Sequence, residues 1–460
     1  MIQNDTIAAI ATPIGSAGIG IIRLSGPGAR HIVANFFKSN TFSSDASHSH
    51  RLHFGIIIDP QDGSDLDEAL VAYMKAPRSY TGEDVVEINC HSGIVLIDKI
   101  LRMALEAGAR LAEAGEFTRR AFLNGRMDLT RAEAVIDVIE AKSELGLKIA
   151  SRQLTGKLAQ RIEQLHGNLM RVIATVEAAI DFPEDDILFD ASSALTAQTQ
   201  TIAESASGLI ATFHDGCLYA SGVQTVITGK PNVGKSSILN ALLGDERAIV
   251  TPVPGTTRDI IQETITIGGL PVRLIDTAGL CDSDEEIELA GMERARGKIK
   301  HADIVLMVLD ASRPLDHADR AVADLLADKK PVIVINKIDK PRVWKYDDIA
   351  AFLPFNTIVD VSALHHKGID ELKQIIARII GTHHSISPSD ILIANARHRG
   401  ALEKTRAALD QAITGFICDR TPELIALDLH AALDALGEIT GRTSSEDILD
   451  IIFSRFCVGK

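Results

Sequence analysis

The run Gly229-Lys230-Pro231-Asn232-Val233-Gly234-Lys235-Ser236, followed by Ser237, constrains this chain most. It matches GxxxxGK[ST] and lies between an apolar stretch at 223–228 and a helix-like segment at 237–243. Strand, glycine loop and helix in that order build a phosphate cradle. Glycines let successive backbone N–H groups wrap an anion, and the helix amino end adds positive potential. Lys235 is placed to neutralise β/γ charge, and the Ser236 hydroxyl to ligate Mg²⁺.

Four further elements accompany it. Gly255-Thr256-Thr257-Arg258-Asp259 carries a second candidate Mg²⁺ hydroxyl, Thr257. Asp276-Thr277-Ala278-Gly279 ends an apolar run, where a metal-side carboxylate and a γ-phosphate-sensing turn belong. Asn336-Lys337-Ile338-Asp339 follows the run 332–336, and Ser362-Ala363-Leu364 follows 357–361. A carboxylate at Asp339 accepts two hydrogen bonds, from guanine N1–H and the 2-amino group. Adenine offers no such pair, so ATP would leave the acceptor unpaired. Ser362 and Ala363 fit a backbone contact to guanine O6. Five elements in this order imply a GTPase that binds GTP and GDP.

The residue after Gly279 is Leu280, where Ras-like GTPases carry a glutamine that orients the attacking water. A polar group must come from elsewhere. Asp282, Asp284, Glu285, Glu286 and Glu288 supply carboxylates, although a solvated switch loop accounts for most of them. No obvious arginine finger is visible, with Arg258 the cation to weigh. An extra cation held by the Asn232 side chain and the loop 251–257 is another way to offset transition-state charge.

Organisation follows texture. Residues 1–120 mix short β-like runs with Gly and Pro turns and one helix-like stretch, 94–107, ending at Gly108, which reads as α+β. Helical periodicity covers 121–216: a capping box at Thr130–Glu133, a stripe of Leu129, Ala132, Ile136 and Ile139, and a second stripe from Ile162 to Ala179 that stops before Pro183. The stretch 193–213 continues it towards Gly216. Residues 217–382 alternate apolar runs with helical segments, predicting a parallel sheet covered on both faces. Helical texture returns at 383–460. The fold expected is multidomain α/β, with an α+β domain followed by an all-α domain into which a Ras-like P-loop domain is inserted.

Composition limits partners. The 460 residues carry a formal net charge of −15, so the chain is not built to coat nucleic acid and must meet RNA through a local basic face or a basic partner. Five cysteines without CxxC spacing make neither a disulfide framework nor a zinc site and fit a reduced, cytoplasmic protein. No targeting segment and no apolar run of roughly 18 residues is visible, so no membrane span is expected. Gly15–Gly20 has the order GxxGxG and reads as a glycine turn. The scattered histidines at 48, 50, 53, 365, 366, 383 and 384 read as loop residues.

At this point the whole chain resembles the MnmE (TrmE) family of tRNA-modification GTPases. The residues that carry the likeness are Asn4–Ala9 with Ala11-Thr12-Pro13, Thr81-Gly82-Glu83-Asp84, Gly115-Glu116-Phe117, Ala121–Asn124, Ala178–Pro183 and the ending Cys457-Val458-Gly459-Lys460. The resemblance implies an N-terminal domain that binds 5-formyl- or methylene-tetrahydrofolate and makes a homodimer. Arg23, Glu87, Arg126 and Lys460 then fall at the folate site, with Arg126 standing where the family usually has Lys. Without the likeness, Arg23 and Glu87 read as surface residues. It also implies K⁺ held by Asn232 and the backbone carbonyls of Thr251, Val253 and Thr256, Glu288 as the catalytic residue that orients water, and Cys457 as a cysteine needed for modification. Spacing alone reads Cys457 as a buried small apolar residue.

The implied partner is MnmG (GidA), a protein that uses FAD and NADH, joined in a heterotetramer. Together the two build an aminomethyl-type group on C5 of the wobble uridine of certain tRNAs. A ribosome-assembly GTPase is the alternative, but it would carry a basic RNA-binding domain. A septin- or dynamin-like scaffold would need a basic amphipathic helix or an anchor.

Overall fold

The computed structural model describes residues 5–15, 17–42, 49–182, 187–244, 262–276, 297–326, 329–350, 357–381, 391–443 and 445–460, without the side chains of 187–191, 262, 276, 350 and 381. The chain forms two compact units. One comprises Met1–Ile136, Arg152–Ser207 and Gly400–Lys460; the other comprises Asp137–Ser151 and Gly208–Arg399.

In the first unit the described strands are β1 (Ile7–Ile10), β2 (Ala17–Ser25), β3 (Phe37–Lys38), β4 (Arg51–Ile58), β5 (Asp65–Met74), β6 (Val85–Ser92) and β7 (Arg110–Leu111). They pair in the order β3-β4-β5-β6-β2-β1-β7. Alternation decides what each face does. Ile22 and Leu24 of β2 and Ile88 of β6 are buried, while Arg23 lies opposite Glu87 on the other face. The helix Ile94–Glu106 packs on the buried face. A Cβ on Gly20 would come 2.3 Å from Ile97 Cδ1, so the glycine admits the helix. Gly18 and Gly20 therefore belong to a strand, which corrects the glycine turn expected there.

The helix Lys157–Asp181 buries the whole expected stripe of Ile162, Leu165, Leu169, Val172, Val176 and Ala179. Each fully buried Leu or Ile stabilises the unit by roughly 2 kcal/mol relative to exposure. The helix Pro422–Thr440 lies against it, with His430 2.9 Å from Glu177 and Arg442 2.7 Å from Glu163. Two expectations fail on the helix Leu129–Glu140. Ile139 is 55% exposed. Thr130 is not the cap: the Asp128 carboxylate accepts from the Thr130 hydroxyl at 2.5 Å and from the Arg131 N–H at 3.1 Å, and a carboxylate at that position is a strong cap acceptor.

An ionic cluster ties the start of the chain to the helix Glu116–Leu123. Arg120 reaches Asp5 at 2.6 Å and Glu116 at 2.9 Å, and Arg110 reaches the same carboxylates at 2.9 and 2.6 Å. Burial alone would raise both carboxyl pKa values, but the bonds from Arg120 and Arg110 outweigh it and hold both below the ordinary range. Their stabilisation is therefore complete above the unfolded carboxylate pKa, about 4, and is lost as pH falls through the lower folded values. Melting temperature measured from pH 7 to pH 3 should drop increasingly steeply below about pH 4.5, and Glu116→Gln should flatten that limb. A variant curve parallel to wild type would show that the cluster has no part in acid sensitivity.

In the second unit the described strands are β8 (Val223–Thr228), β9 (Gln262–Ile267), β10 (Leu270–Asp276), β11 (Ile304–Asp310), β12 (Val332–Asn336) and β13 (Ile358–Asp360). Their order is β13-β12-β11-β8-β10-β9. All pairs are parallel except β9 with β10, a hairpin turned by Gly268 and Gly269 at φ 62° and 82°. The expected parallel sheet thus carries an antiparallel strand at one edge. β11 is buried along its whole length, as a central parallel strand must be. Helical structure does not end at Gly216. The helix Phe213–Ser221 runs through it, and a Cβ there would lie 2.1 Å from Ile393 O, so this glycine serves close packing and Gly222, at φ 81°, ends the helix.

Candidate functional site

Two candidate sites emerge, one in each unit. In the second unit the carboxyl ends of β8, β10 and β11 lie side by side, with β8 central and the chain crossing from β10 back to β11. Such a switch point opens a crevice for ligands. The glycine loop fills it. Gly229 and Gly234 take φ 146° and 99°, where a Cβ would lie 2.5 Å from Val308 O and 2.3 Å from Asn336 Nδ2. Asn232 is itself left-handed at φ 63°. Lys235 opens the helix Lys235–Leu243, is buried, and donates from Nζ to Gly229 O at 2.9 Å and Lys230 O at 3.0 Å. Its ammonium thus sits against the carbonyls at the start of the loop. Ser236 and Ser237 follow on that helix and are exposed, while Val233 is buried.

The base-recognition elements are brought to the same loop. Asn336 Nδ2 donates to Val233 O at 2.9 Å, and Ala363 N donates to Asn336 Oδ1 at 3.1 Å. Ser362 Oγ donates to Asp339 Oδ1 at 2.6 Å. That bond, led by Ser362, holds the Asp339 carboxyl below the ordinary range, so a charged acceptor faces outward. Lys337, left-handed at φ 64°, donates to Asn232 O at 2.6 Å and to Asp310 Oδ2 at 2.7 Å. Burial alone would raise Asp310, but Lys337 and Ser312 outweigh it. The backbone of Asp276 ends β10 beside Ile227. Thr251, Val253, Thr256, Thr257, Thr277, Ala278, Gly279, Leu280 and Glu288 lie outside the described residues.

Sequence reasoning missed Asp310 and Lys230. Lys230 Nζ sits 2.7 Å from Asp319 and 3.0 Å from Asp316, the two carboxylates of the capping box that opens the helix His317–Asp324. Neither contact has a local signal, since the partners lie 27 to 89 residues apart.

In the first unit, Arg23 donates to Glu87 Oε1 at 2.8 Å and to Gly459 O at 3.2 Å. Its guanidinium lies 5.5 Å from the Tyr80 ring centre and 5.7 Å from that of Phe117, two aromatic neighbours that sequence reasoning did not single out. Gly459, at φ 101°, is pressed so close that a Cβ would meet Ile10 O at 2.3 Å. Burial and then Arg23 push the Lys460 ammonium below its ordinary pKa, against Glu87 and Cys457. Arg126 is tied instead to Ser79 O at 3.0 Å, one residue from Tyr80. Cys457 is exposed, contrary to a buried apolar role.

Two family models cover nearly the whole chain: "GTP-binding protein TrmE N-terminus" matches residues 6–126, and "MnmE helical domain" matches 129–457. The "tRNA modification GTPase MnmE" of Geobacter sulfurreducens is 47% identical over 100% of both chains. That of Clostridioides difficile is 43% identical, again over 100% of both. The chain belongs to the MnmE family. Among solved structures, the G domain of T. maritima FeoB aligns with 34% of this chain and 98% of its own at 27% identity, with a TM-score of 0.27, too low to support an argument. The MnmE assignment accounts for an α/β GTPase unit inserted in a helical one. Among the described residues no cluster of three or more His, Cys, Asp or Glu is placed to hold a metal, and no helix is long and apolar enough to cross a membrane.

Proposed function

We propose that this GTPase acts in the cytoplasm on the wobble uridine of tRNA, with a folate one-carbon unit and an FAD-dependent partner of the MnmG kind. One observation carries the reading: Arg23 binds both Glu87 and the Gly459 carbonyl, 436 residues away, so the N-terminal and C-terminal motifs make one site. Cationic Arg23 and Lys460 suit folate carboxylates, Glu87 suits ring N–H donors, and the part-exposed Tyr80 ring beside Arg23 adds apolar surface. Arg126 flanks this site through Ser79, and exposed Cys457 stands at its edge. The division into an α+β region (1–120), a helical region in two parts (121–216 and 383–460) and an inserted G domain (217–382) belongs to the same reading.

A homodimer is supported by the open face of the N-terminal sheet. Phe54 pairs with Leu70, and Leu52, Phe54 and Leu70 are 64%, 61% and 41% exposed, an apolar patch that a second copy would cover. In the G domain the left-handed glycine loop fits a triphosphate. Ser236 and Thr257 would hold Mg²⁺, and Asn232 with the carbonyls of Thr251, Val253 and Thr256 would hold K⁺; both ions neutralise phosphate charge when bound. Glu288 orients the attacking water in place of the missing glutamine.

Wobble-nucleoside analysis of tRNA from cells lacking the chain tests the function, and an unchanged nucleoside profile rejects it. GTP turnover should be at least tenfold faster in K⁺ than in Na⁺. Asn232→Ala should abolish that difference, and Glu288→Ala should keep nucleotide binding and lose hydrolysis. Equal rates in the two salts would remove the potassium role.

A further inference from the structure

We propose that Arg131, Arg152, Lys157 and Arg161, extending to Arg126, form the surface on which this chain holds the phosphate backbone of tRNA; the proposal rests on the tRNA reading above. The chain as a whole is acidic, with a formal net charge of −15, yet residues 145–162 contain four basic side chains and no acidic one. The fold concentrates the charge further. Arg131 Nε donates to Leu154 O at 3.0 Å, and its NH1 donates to Arg126 O at 3.4 Å. Its Cδ lies 3.5 Å from where a Cβ on Gly156 would sit. Gly156, left-handed at φ 84°, turns the chain from the helix Glu144–Leu154 into the helix Lys157–Asp181. Arg152 thus ends one helix near the place where Lys157 and Arg161 begin the next, and Arg131 sits beside the turn.

None of these five side chains has a carboxylate within ion-pair distance among the described residues. Arg126 and Arg131 meet only carbonyl oxygens, and Arg161 meets Gln164 at 3.3 Å. Other exposed cations of the same unit do have such a partner, among them Arg102 with Asp98, Lys404 with Glu438 and Arg442 with Glu163. Lys157 is also the first residue of a 25-residue helix with no acidic side chain in its first turn, so helix and cation reinforce one positive potential. That placement opposes helix stability, and an anion relieves it. Phosphate spacing along a strand suits a row of separate cations better than a single small anion does, and Arg126 carries the row to the edge of the Arg23–Glu87 site. A backbone held there would bring a base of the same RNA towards Cys457 and Lys460.

The test is binding of an unmodified tRNA transcript to the full chain, by fluorescence anisotropy, in 50 to 200 mM KCl. Arg152→Gln/Lys157→Gln should weaken binding about tenfold at 100 mM and make the plot of log affinity against log salt shallower by roughly 1.5. A matched double variant, Arg102→Gln/Lys404→Gln, removes two paired cations and should bind within twofold of wild type. GTP turnover should be the same in all three proteins. Equal weakening by both double variants would reduce the effect to net charge and overturn the proposal. Unchanged affinity and slope in Arg152→Gln/Lys157→Gln, or no salt-dependent tRNA binding by wild type, would overturn it as well. Either result leaves the wobble-nucleoside test of function standing by itself.

Discussion

Replacing Asp339 by Asn should turn the nucleotide preference from guanine to xanthine. The Asp339 carboxylate is fixed by the Ser362 hydroxyl at 2.6 Å, which leaves its second oxygen and remaining lone pairs for the base. Guanine presents two donors there, and each charge-assisted bond contributes a factor of roughly ten to a hundred. The amide keeps one acceptor and adds a donor, which meets the guanine 2-amino group donor to donor. Xanthine carries a carbonyl at that place and accepts from the amide. GTP affinity should fall on the order of 10³-fold, and XTP should gain by a similar factor. Competition of GTP, XTP and ATP against a fluorescent GDP analogue measures all three. A variant that loses GTP without gaining XTP would mean that Asp339 shapes the loop and does not read the base. The loop itself is held independently, through Asn336 to Val233 and Ala363, so it should survive the change.

The same independence explains what could be read in the sequence. The phosphate loop is eight consecutive residues whose chemistry leaves little choice of residue type, so it shows in one dimension. The buried strands Ile304–Asp310 and Val332–Asn336 show as continuous apolar runs because a central parallel strand has no wet face. The hairpin strand β9 was equally visible in Thr264, Ile265, Thr266 and Ile267 before Gly268-Gly269, a hairpin signal that the parallel reading passed over. Thr130 misled because a capping-box pattern does not reveal that Asp128, two residues earlier, already caps the helix by accepting from the Arg131 N–H. Other features have no linear trace. Lys230 with Asp319, and Lys337 with Asp310, strap the loop from two sides through contacts spanning 89 and 27 residues. Arg23 and Glu87 sit half-buried on adjacent strands, with neither an apolar period nor a motif to mark them. Only the likeness of both chain ends to one family pointed there.

Those ends supply the second large effect. Arg23→Ala should abolish wobble modification while leaving GTP turnover intact. Three attachments meet at this guanidinium: Glu87, the Gly459 carbonyl, and the faces of Tyr80 and Phe117. Removing it leaves Glu87 without its cation in a site where it is only 24% exposed, and frees the last turn of chain that carries Cys457 and Lys460. Truncating one partner of a partly desolvated pair costs about 2 kcal/mol or more, mostly because the other charge is stranded. Binding of tetrahydrofolate should therefore weaken on the order of a hundredfold, since both the cation and the geometry of Lys460 are lost. Arg23→Lys keeps charge but not the planar fork that spans Glu87 and Gly459, and should recover only part of the affinity. The phosphate loop lies in the other compact unit, so nucleotide affinity and hydrolysis by the purified chain should stay within twofold of wild type. Isothermal titration with 5-formyl-tetrahydrofolate, GTP turnover and nucleoside analysis of a complemented knockout separate these effects. Full modification by Arg23→Ala would take the two chain ends out of the carbon chemistry and leave them a purely structural clasp.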